Sequence, residues 1–316
     1  MESLQNIKRR LKGVKNISQI TKAMELVAAT KMRRAQEIAI ASRPYAYTAL
    51  ELLANLSKME DVKLPALFER RDVKRTAIVV VTSDKGLAGA FNANVLRAFE
   101  KFIAQERNSV ASGQLEPAYI AIGQKAAQRI ERTGELLTKY SHVGDYTTVE
   151  QVRPIANLLI EGFLNKEWDR VIVFSMNFKS ALSQEVVKRE LFPIDVEALR
   201  QIAEEVIPKT GRYAELRGRG EFKILNPNAK SDEYLIEPSA EEVLNNLARH
   251  LVLMEIYHLI LEANASEHAA RRLAMKNASD NAEELGSELN LEYNKSRQAS
   301  ITREIIEITS GAEALK

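Results

Sequence analysis

Apolar side chains recur at Leu4, Ile7, Leu11, Val14, Ile17, Ile20, Met24 and Val27, in gaps of three and four that keep returning to one face of a helix. This spacing predicts an amphipathic helix with a coiled-coil seam. Three successive gaps of three, from Leu11 to Ile20, interrupt a strict heptad and predict local overwinding and a curved helix. The stripe continues through Ala28, Met32, Ala35 and Ala39, mostly narrow residues that admit a close partner, up to Pro44, where a kink or stop is expected.

A second long pattern begins after Pro238. From Ser239 to Lys316 there is no proline and the glycines are Gly286 and Gly311, so one helix of about 70 residues, roughly 105 Å at 1.5 Å per residue, is expected. Ser239 with Glu242 three residues on reads as its capping box. Leu247, Leu251, Met254 and Leu261 start an apolar seam, and Ala265, Ala269, Ala274, Ala278 and Ala282 supply small residues for tight helix contact. A helix this long does not fit inside a compact globule of 35.5 kDa. Two long helices, one from each end of the chain, most simply pair antiparallel.

The middle of the chain has a different rhythm. Thr76–Thr82, Ala118–Gly123 and Arg170–Ser175 are short apolar runs separated by helical stretches such as Ala90–Arg107 and Val149–Leu164, which argues for a small parallel α/β sheet. Gln184–Asp195 alternates as a further edge strand closed by Pro193. Between Pro208 and Ser239, three prolines and three glycines surround EFKIL and EYLIEP, so an irregular connection with a hairpin is expected. The segments are therefore residues 1–58 (first long helix), 74–208 (α/β domain), 209–238 (connection) and 239–316 (second long helix).

Composition narrows the chemistry. The 316 residues are 45% hydrophobic and 28% charged, an ordinary globular balance, and the absence of cysteine excludes disulfides, thiolate zinc sites and cysteine nucleophiles. The net charge of +2 is unevenly spread: Met1–Arg34 carries nine Lys or Arg against Glu2 and Glu25. No apolar run is long enough to span a bilayer. The basic start is read as mature structure rather than a targeting segment, because its helical periodicity continues too far. No aromatic interleaves with those cations before Tyr45, so the cluster reads as a solvated face rather than a nucleic-acid surface.

VVVTSDKGLAGAFNAN, Val79–Asn94, runs from a strand through glycines toward a helix, as many phosphate sites do. A P-loop needs a Gly-Lys-Ser/Thr end, whereas here Lys85 precedes Gly86; a dinucleotide fingerprint needs three glycines, and Gly86 and Gly89 supply only GxxG. The glycines are expected to permit a tight strand-to-helix turn, with Ser83 or Asp84 as the cap of the following helix. His142, His250, His258 and His268 include no pair at i, i+4, and no GxSxG elbow presents a serine nucleophile. No catalytic, cofactor or metal residue is assigned. The tail NKSRQASITREIIEITSGAEALK mixes Arg297, Gln298, Thr302 and Glu304 with Ile301, Ile305 and Ile308, and such a helix end calls for a surrounding partner.

The residues resemble the gamma subunit of F-type ATP synthase, of the bacterial type. ITREIIEITSGAEA is similar to the family's C-terminal signature, and ISQITKAMELVAATKMRRAQ with SRPYA, TSDKGLAGAFNAN and YNKSRQASITRE extend the likeness across the chain. The resemblance implies a non-catalytic rotor: a shaft of antiparallel terminal helices inside a hexamer of alternating alpha and beta subunits, with a Rossmann-like α/β foot that holds no cofactor. ATP, ADP and Mg would be bound by alpha and beta, and torque would pass between that hexamer and the membrane c-ring, coupling proton flow to ATP synthesis or hydrolysis.

Further partners implied are the epsilon and delta subunits, with membrane association only through the complex, at the cytoplasmic face of the bacterial plasma membrane. By position, Arg297, Gln298, Thr302 and Glu304 match shaft residues that face the catch loops of the hexamer. Met24, Lys31, Arg33 and Arg34 match the region near the acidic levers of beta, and Asp84 and Lys85 are expected to contact neighbouring subunits. The stretch 208–239 is longer than in typical members. An isolated nucleotide- or nucleic-acid-binding α/β module with helical arms is the alternative reading.

Overall fold

The computed structural model describes residues 3–41, 52, 63–109, 116–195 and 237–314. Its elements are α1 (Leu4–Ala41), a 3-10 turn (Ala66–Phe68), β1 (Arg75–Val81), α2 (Phe91–Ser109), β2 (Glu116–Ile122), α3 (Gln124–Ile130), β3 (Leu136–Tyr140), α4 (Val149–Leu164), β4 (Arg170–Phe178), β5 (Gln184–Phe192) and α5 (Ala240–Ala314). Contacts divide the chain into two compact units, Met1–Ala29 with Arg271–Lys316, and Thr30–Ala270. Pro44, EFKIL and most of EYLIEP lie outside the described residues.

In the first unit, the side of α1 withdrawn from water passes through Ile7, Leu11, Val14, Ser18, Thr21, Glu25 and Ala28. Those gaps alternate strictly between four and three. On α5 the matching side passes through Met275, Ser279, Ala282, Gly286, Leu289, Tyr293 and Ser296, again in alternating fours and threes. The expected run of threes is therefore corrected: Ile17 and Ile20 are 53% and 59% exposed. At about 100° per residue, Ile20 stands half a turn round the helix from Leu11, so the two cannot share a seam. Ser18 and Thr21 take those positions instead, and Thr21 satisfies its hydroxyl on the carbonyls of Ile17 and Ser18, at 2.9 and 3.1 Å. With a regular heptad, the overwinding inferred from the run of threes loses its basis.

The direction of the pair follows from two contacts. Arg272 Nε approaches Glu25 Oε1 at 4.0 Å, and a Cβ built on Gly286 would stand 3.7 Å from Val14 Cγ1. As the number falls along α1 its partner's number rises along α5, so the helices are antiparallel, as expected. In both contacts the two numbers add to about 300, which leaves α5 beyond Ser296 with no stretch of α1 opposite it. Every residue from Arg297 to Ala312 is exposed.

The second unit is built on a five-stranded sheet in the order β3-β2-β1-β4-β5, parallel except for β5, which pairs antiparallel with β4. β1, central and covered on both faces, is buried at every residue after Arg75. Expected strands and helices appear within a few residues of their bounds, Val149–Leu164 without change, and Gln184–Phe192 is the edge strand. Unforeseen were α3 and β3; the latter, LLTKY, is a short second edge strand that alternates half-buried and exposed.

Right-handed crossovers place α2 and α3 on one face of the sheet and α4 on the other. Phe99 and Phe102 of α2 pack edge-on or tilted against Phe174. On the opposite face Phe163 of α4 stacks on Phe192, with the Arg71 guanidinium 4.1 Å from the Phe163 ring centre. α5 lies beside α4 there, tied by Arg249 and Glu161 at 2.7 Å, and begins as expected with the Ser239 hydroxyl accepting from Glu242 N–H at 3.2 Å.

Gly162 of α4 allows Trp168 to lie against the helix and donate Nε1–H to Leu159 O at 3.1 Å. A Cβ at Gly162 would fall 1.9 Å from the buried indole. Gly162→Ala is expected to destabilise this unit by about 1–3 kcal/mol. Urea unfolding followed by Trp168 fluorescence checks this; an unchanged midpoint would show that the indole moves aside freely.

Candidate functional site

The loop after β1 is held by its own polar groups. Ser83 receives the Asn92 side chain, accepting from Nδ2 at 2.7 Å while its N–H donates to Oδ1 at 3.0 Å. Asp84 accepts from Gln124 N–H at 3.0 Å and from His142 N–H at 2.8 Å. Thr82 Oγ1 accepts from Ala126 N–H at 2.7 Å, and Ser83 O accepts from Lys125 N–H at 3.1 Å. The expected cap is thus corrected: Ser83 and Asp84 satisfy the first turn of α3, not of α2. The amides of Gln124, Lys125, Ala126 and His142 are thereby bonded to the loop after β1. Gly123 completes the closure, since at φ 94° a Cβ there would lie 2.1 Å from Thr82 O.

The carboxyl ends of the strands, where doubly wound sheets take their ligands, receive α5. Tyr257 donates to Thr147 O at 3.2 Å, Asn264 donates to Val143 O at 3.2 Å and Thr147 Oγ1 at 3.0 Å, and Ser266 reaches Met176 O at 3.5 Å. From Leu251 to Ala269, every residue of α5 except Met254 and His258 is buried. A helix apolar around much of its circumference can be buried this way, and Tyr257, Asn264 and His268 meet the loops.

Charges converge on Asp145, in the loop after β3. Lys31 Nζ bonds Oδ2, and His268 Nε2 stands 3.1 Å from Oδ1. Burial pushes this carboxyl up, but the hydrogen bond and charge of Lys31, with the charges of His268 and Lys85, outweigh it and hold it below the ordinary carboxylate range. Lys31 and Lys85, far apart in the chain, are thereby brought to one carboxylate. Nothing in sequence marks Asp145 for this position.

The other expected contact residues divide by environment. Met24 is half-buried beside the α1 seam. Arg33 and Arg34 are exposed and both reach Glu37, at 3.1 and 3.7 Å. Asp84 has both oxygens engaged, whereas Lys85 is exposed. Arg297, Gln298, Thr302 and Glu304 lie on the uncovered end of α5, where the Thr302 hydroxyl bonds Gln298 O at 2.9 Å. Ile301, Ile305, Ile306 and Ile308 are exposed among them.

Two residues that sequence reasoning passed over stand beside Lys85 and Asp145. Leu87 and Tyr146 hold left-handed backbone, at φ 63° and 54°, and leave their side chains 63% and 60% exposed. Non-glycine residues held this way cluster at contact sites. In GLAG, Leu87 and Gly89 adopt left-handed backbone, the latter at φ 53° as the glycine reading expects, and Gly86 does not. Among the described residues no group of His, Asp or Glu is placed to hold a metal, and no described helix is long and apolar enough to cross a membrane.

Asp84→Ala leaves two backbone amides without their acceptor and is expected to cost about 1–3 kcal/mol. Asp84→Asn, which retains one acceptor, should recover part of it. Denaturant midpoints of the two variants check this, and equal, unshifted midpoints would contradict it.

The family model for ATP synthase matches residues 3–315. The chain is 36% identical over 316 residues to the ATP synthase gamma chain of Geobacter metallireducens, covering 100% of both, and 40% identical over 318 residues to that of Roseiflexus castenholzii, covering 100% of this chain and 99% of the other. Among solved structures it superposes on a chain of the Euglena gracilis mitochondrial ATP synthase OSCP/F1/c-ring assembly with a TM-score of 0.58 at 20% identity, over 99% of this chain and 94% of that one. A chain of the Tetrahymena thermophila mitochondrial ATP synthase central stalk and c-ring gives 0.56 at 23%, over 82% and 99%. The structural likenesses establish the fold, and the full-length sequence matches establish the kinship: the chain belongs to the ATP synthase gamma-chain family, the rotor subunit of that complex.

Proposed function

We propose that this rotor works as a shaft and foot: residues 1–58 and 239–316 form the shaft, 74–208 the foot, and 209–238 the connection between them. The shaft turns within a hexamer of alpha and beta subunits, and the foot engages the epsilon subunit and the membrane c-ring; delta belongs to the same complex. The chain binds neither nucleotide nor metal, and ATP, ADP and Mg belong to the alpha and beta subunits. It sits at the cytoplasmic face of the bacterial membrane, peripheral and held through its partners.

One observation supports this reading: from Arg297 to Ala312 α5 is exposed, with no partner among the described residues, yet it displays four isoleucines among polar residues. Left in water, such a surface invites association. At 1.5 Å per residue the stretch Arg297–Ala314 extends for about 27 Å, long enough to be enclosed by a ring of subunits. Arg297, Gln298, Thr302 and Glu304 would then bond the loops of that ring while the isoleucines slide on apolar sleeves.

On the first helix, Lys31, Arg33 and Arg34 would present cations to acidic levers of beta, with the uncharged Met24 beside them, and Lys85 would contact a neighbouring subunit. Opposite charges across a gap that changes with rotation alter the energy of each beta conformation by a different amount. Asp84 contributes by holding the loop that carries Lys85, and Leu87 and Tyr146 add apolar contact beside it.

Arg297→Ala combined with Gln298→Ala should weaken coupling by about 1 kcal/mol, roughly fivefold in the coupled rate, and leave the sheet unit folded. Proton pumping per ATP in reconstituted complex, beside circular dichroism of the free chain, measures both; unchanged coupling would remove these residues from the contact. The purified chain alone should show no ATP turnover and no tight ATP binding by calorimetry. Tight binding lost on Gly86→Val would return the loop after β1 to the nucleotide reading.

A further inference from the structure

Both long helices leave the sheet unit, α1 between Thr30 and Ala29 and α5 between Ala270 and Arg271. Torque carried along them is passed to the sheet only as firmly as each helix is fastened just inside those points. α5 is enclosed there, from Leu251 to Ala269. On α1 the buried side chains inside the boundary, among the described residues, are Met32, Ala35 and Ala39. Apolar burial is non-directional, so narrow contacts of this kind resist separation better than sliding.

A directional fastening is supplied by Asp145, in the loop after β3. Its Oδ2 accepts from Lys31 Nζ of α1 at 2.5 Å, and its Oδ1 lies 3.1 Å from Nε2 of the buried His268 of α5. One carboxylate thus meets both helices, close to where each leaves the unit. The three elements surround a small recess lined by Lys31, Ala35, Asp145, Leu261, Asn264 and His268.

The loop that carries Asp145 is itself held at both ends. Thr147 donates its hydroxyl to Val143 O, Tyr257 donates to Thr147 O at 3.2 Å, and Asn264 donates to Val143 O at 3.2 Å and to Thr147 Oγ1 at 3.0 Å. Tyr257, Leu261, Asn264 and His268 follow at i, i+4, i+7 and i+11, which is one side of α5. Asp145 is therefore fixed to α5 and reaches across to α1. Lys31 has three N–H donors and a side chain 28% exposed, so it keeps this bond while still offering charge outward.

We propose that Asp145 is the positioning residue that pins α1 to α5 and to the sheet where both helices leave the unit, so that the sheet turns with the pair as one body. The proposal rests on the shaft-and-foot reading. Without the pin, α1 keeps its apolar contacts but slides on them under load.

The test uses this chain assembled with alpha and beta subunits, the hexamer being fixed to a surface. The chain has no cysteine, so Leu182→Cys, at an 82% exposed position in the turn between β4 and β5, takes a single optical probe before assembly. The angular variance of that probe between ATP-driven steps reports how loosely the sheet follows the shaft. In Asp145→Ala it should rise by up to about twofold, the limit reached when one of two equal parallel fastenings is lost. Lys31→Met should raise it as well, and the double variant no further than Asp145→Ala, because the same bond is lost. Asp145→Glu, which keeps the charge, should return it toward the parent. Parent-level variance in Asp145→Ala overturns the proposal, as do single effects that add in the double variant or a failure of Asp145→Glu to recover. If Asp145→Ala does not assemble, the isosteric Asp145→Asn decides, with a smaller rise expected and an unchanged variance overturning the pin. A parent probe that does not rotate at all overturns the shaft-and-foot reading together with the pin, whereas a rotating parent with unchanged variants removes the pin alone.

Discussion

One helix, α5, has to satisfy three different surroundings in succession along 75 residues. From Leu251 to Ala269 it is enclosed nearly all round, from Met275 to Ser296 it offers one seam to α1, and from Arg297 it is uncovered. No proline interrupts it and its Ser239 cap starts it cleanly, so its backbone bonds are satisfied throughout its length by the helix itself. That self-sufficiency lets the side chains change character from one stretch to the next without breaking the element. The last stretch leaves Ile301, Ile305, Ile306 and Ile308 exposed.

The α/β unit keeps the architecture of a doubly wound sheet, and its loops bond to one another and to α5. Asp84, Thr82 and Ser83 occupy the amides of α3, and Tyr257, Asn264, Ser266 and His268 of α5 meet the strand ends and the loop after β3. These bonds lock two loops to each other and to a helix. The loops so fixed hold Lys85, Leu87 and Tyr146 outward.

Much of this architecture was legible because it rests on local rules. The apolar runs of β1, β2 and β4, the capping box at Ser239 and the small residues of α5 each state their element without reference to the rest of the chain. β3 and α3 were not legible: LLTKY is too short and too polar to stand out as a strand, and QKAAQRI is under two helical turns long. Both persist because β2 and the loop after β1 pair with them. The exposed mix of isoleucines and polar residues at the C-terminal end was readable from the sequence, whereas the convergence of Lys31 and Lys85 on Asp145 joins three segments that no spacing connects.

The amino-acid sequence by itself determined the two long helices, their antiparallel pairing, the strand-helix alternation between them and the family, because periodicity and local motifs act over a few residues at a time. Tertiary structure alone decided which residues form the seam. Ile17 and Ile20 were the more apolar choice, yet the fixed turn of the helix sent Ser18 and Thr21 inward and left the isoleucines outside. Tertiary structure likewise decided that Asp84 caps a helix 40 residues away. Those outcomes depend on which segments meet in space, and side-chain order along the chain carries no record of that meeting.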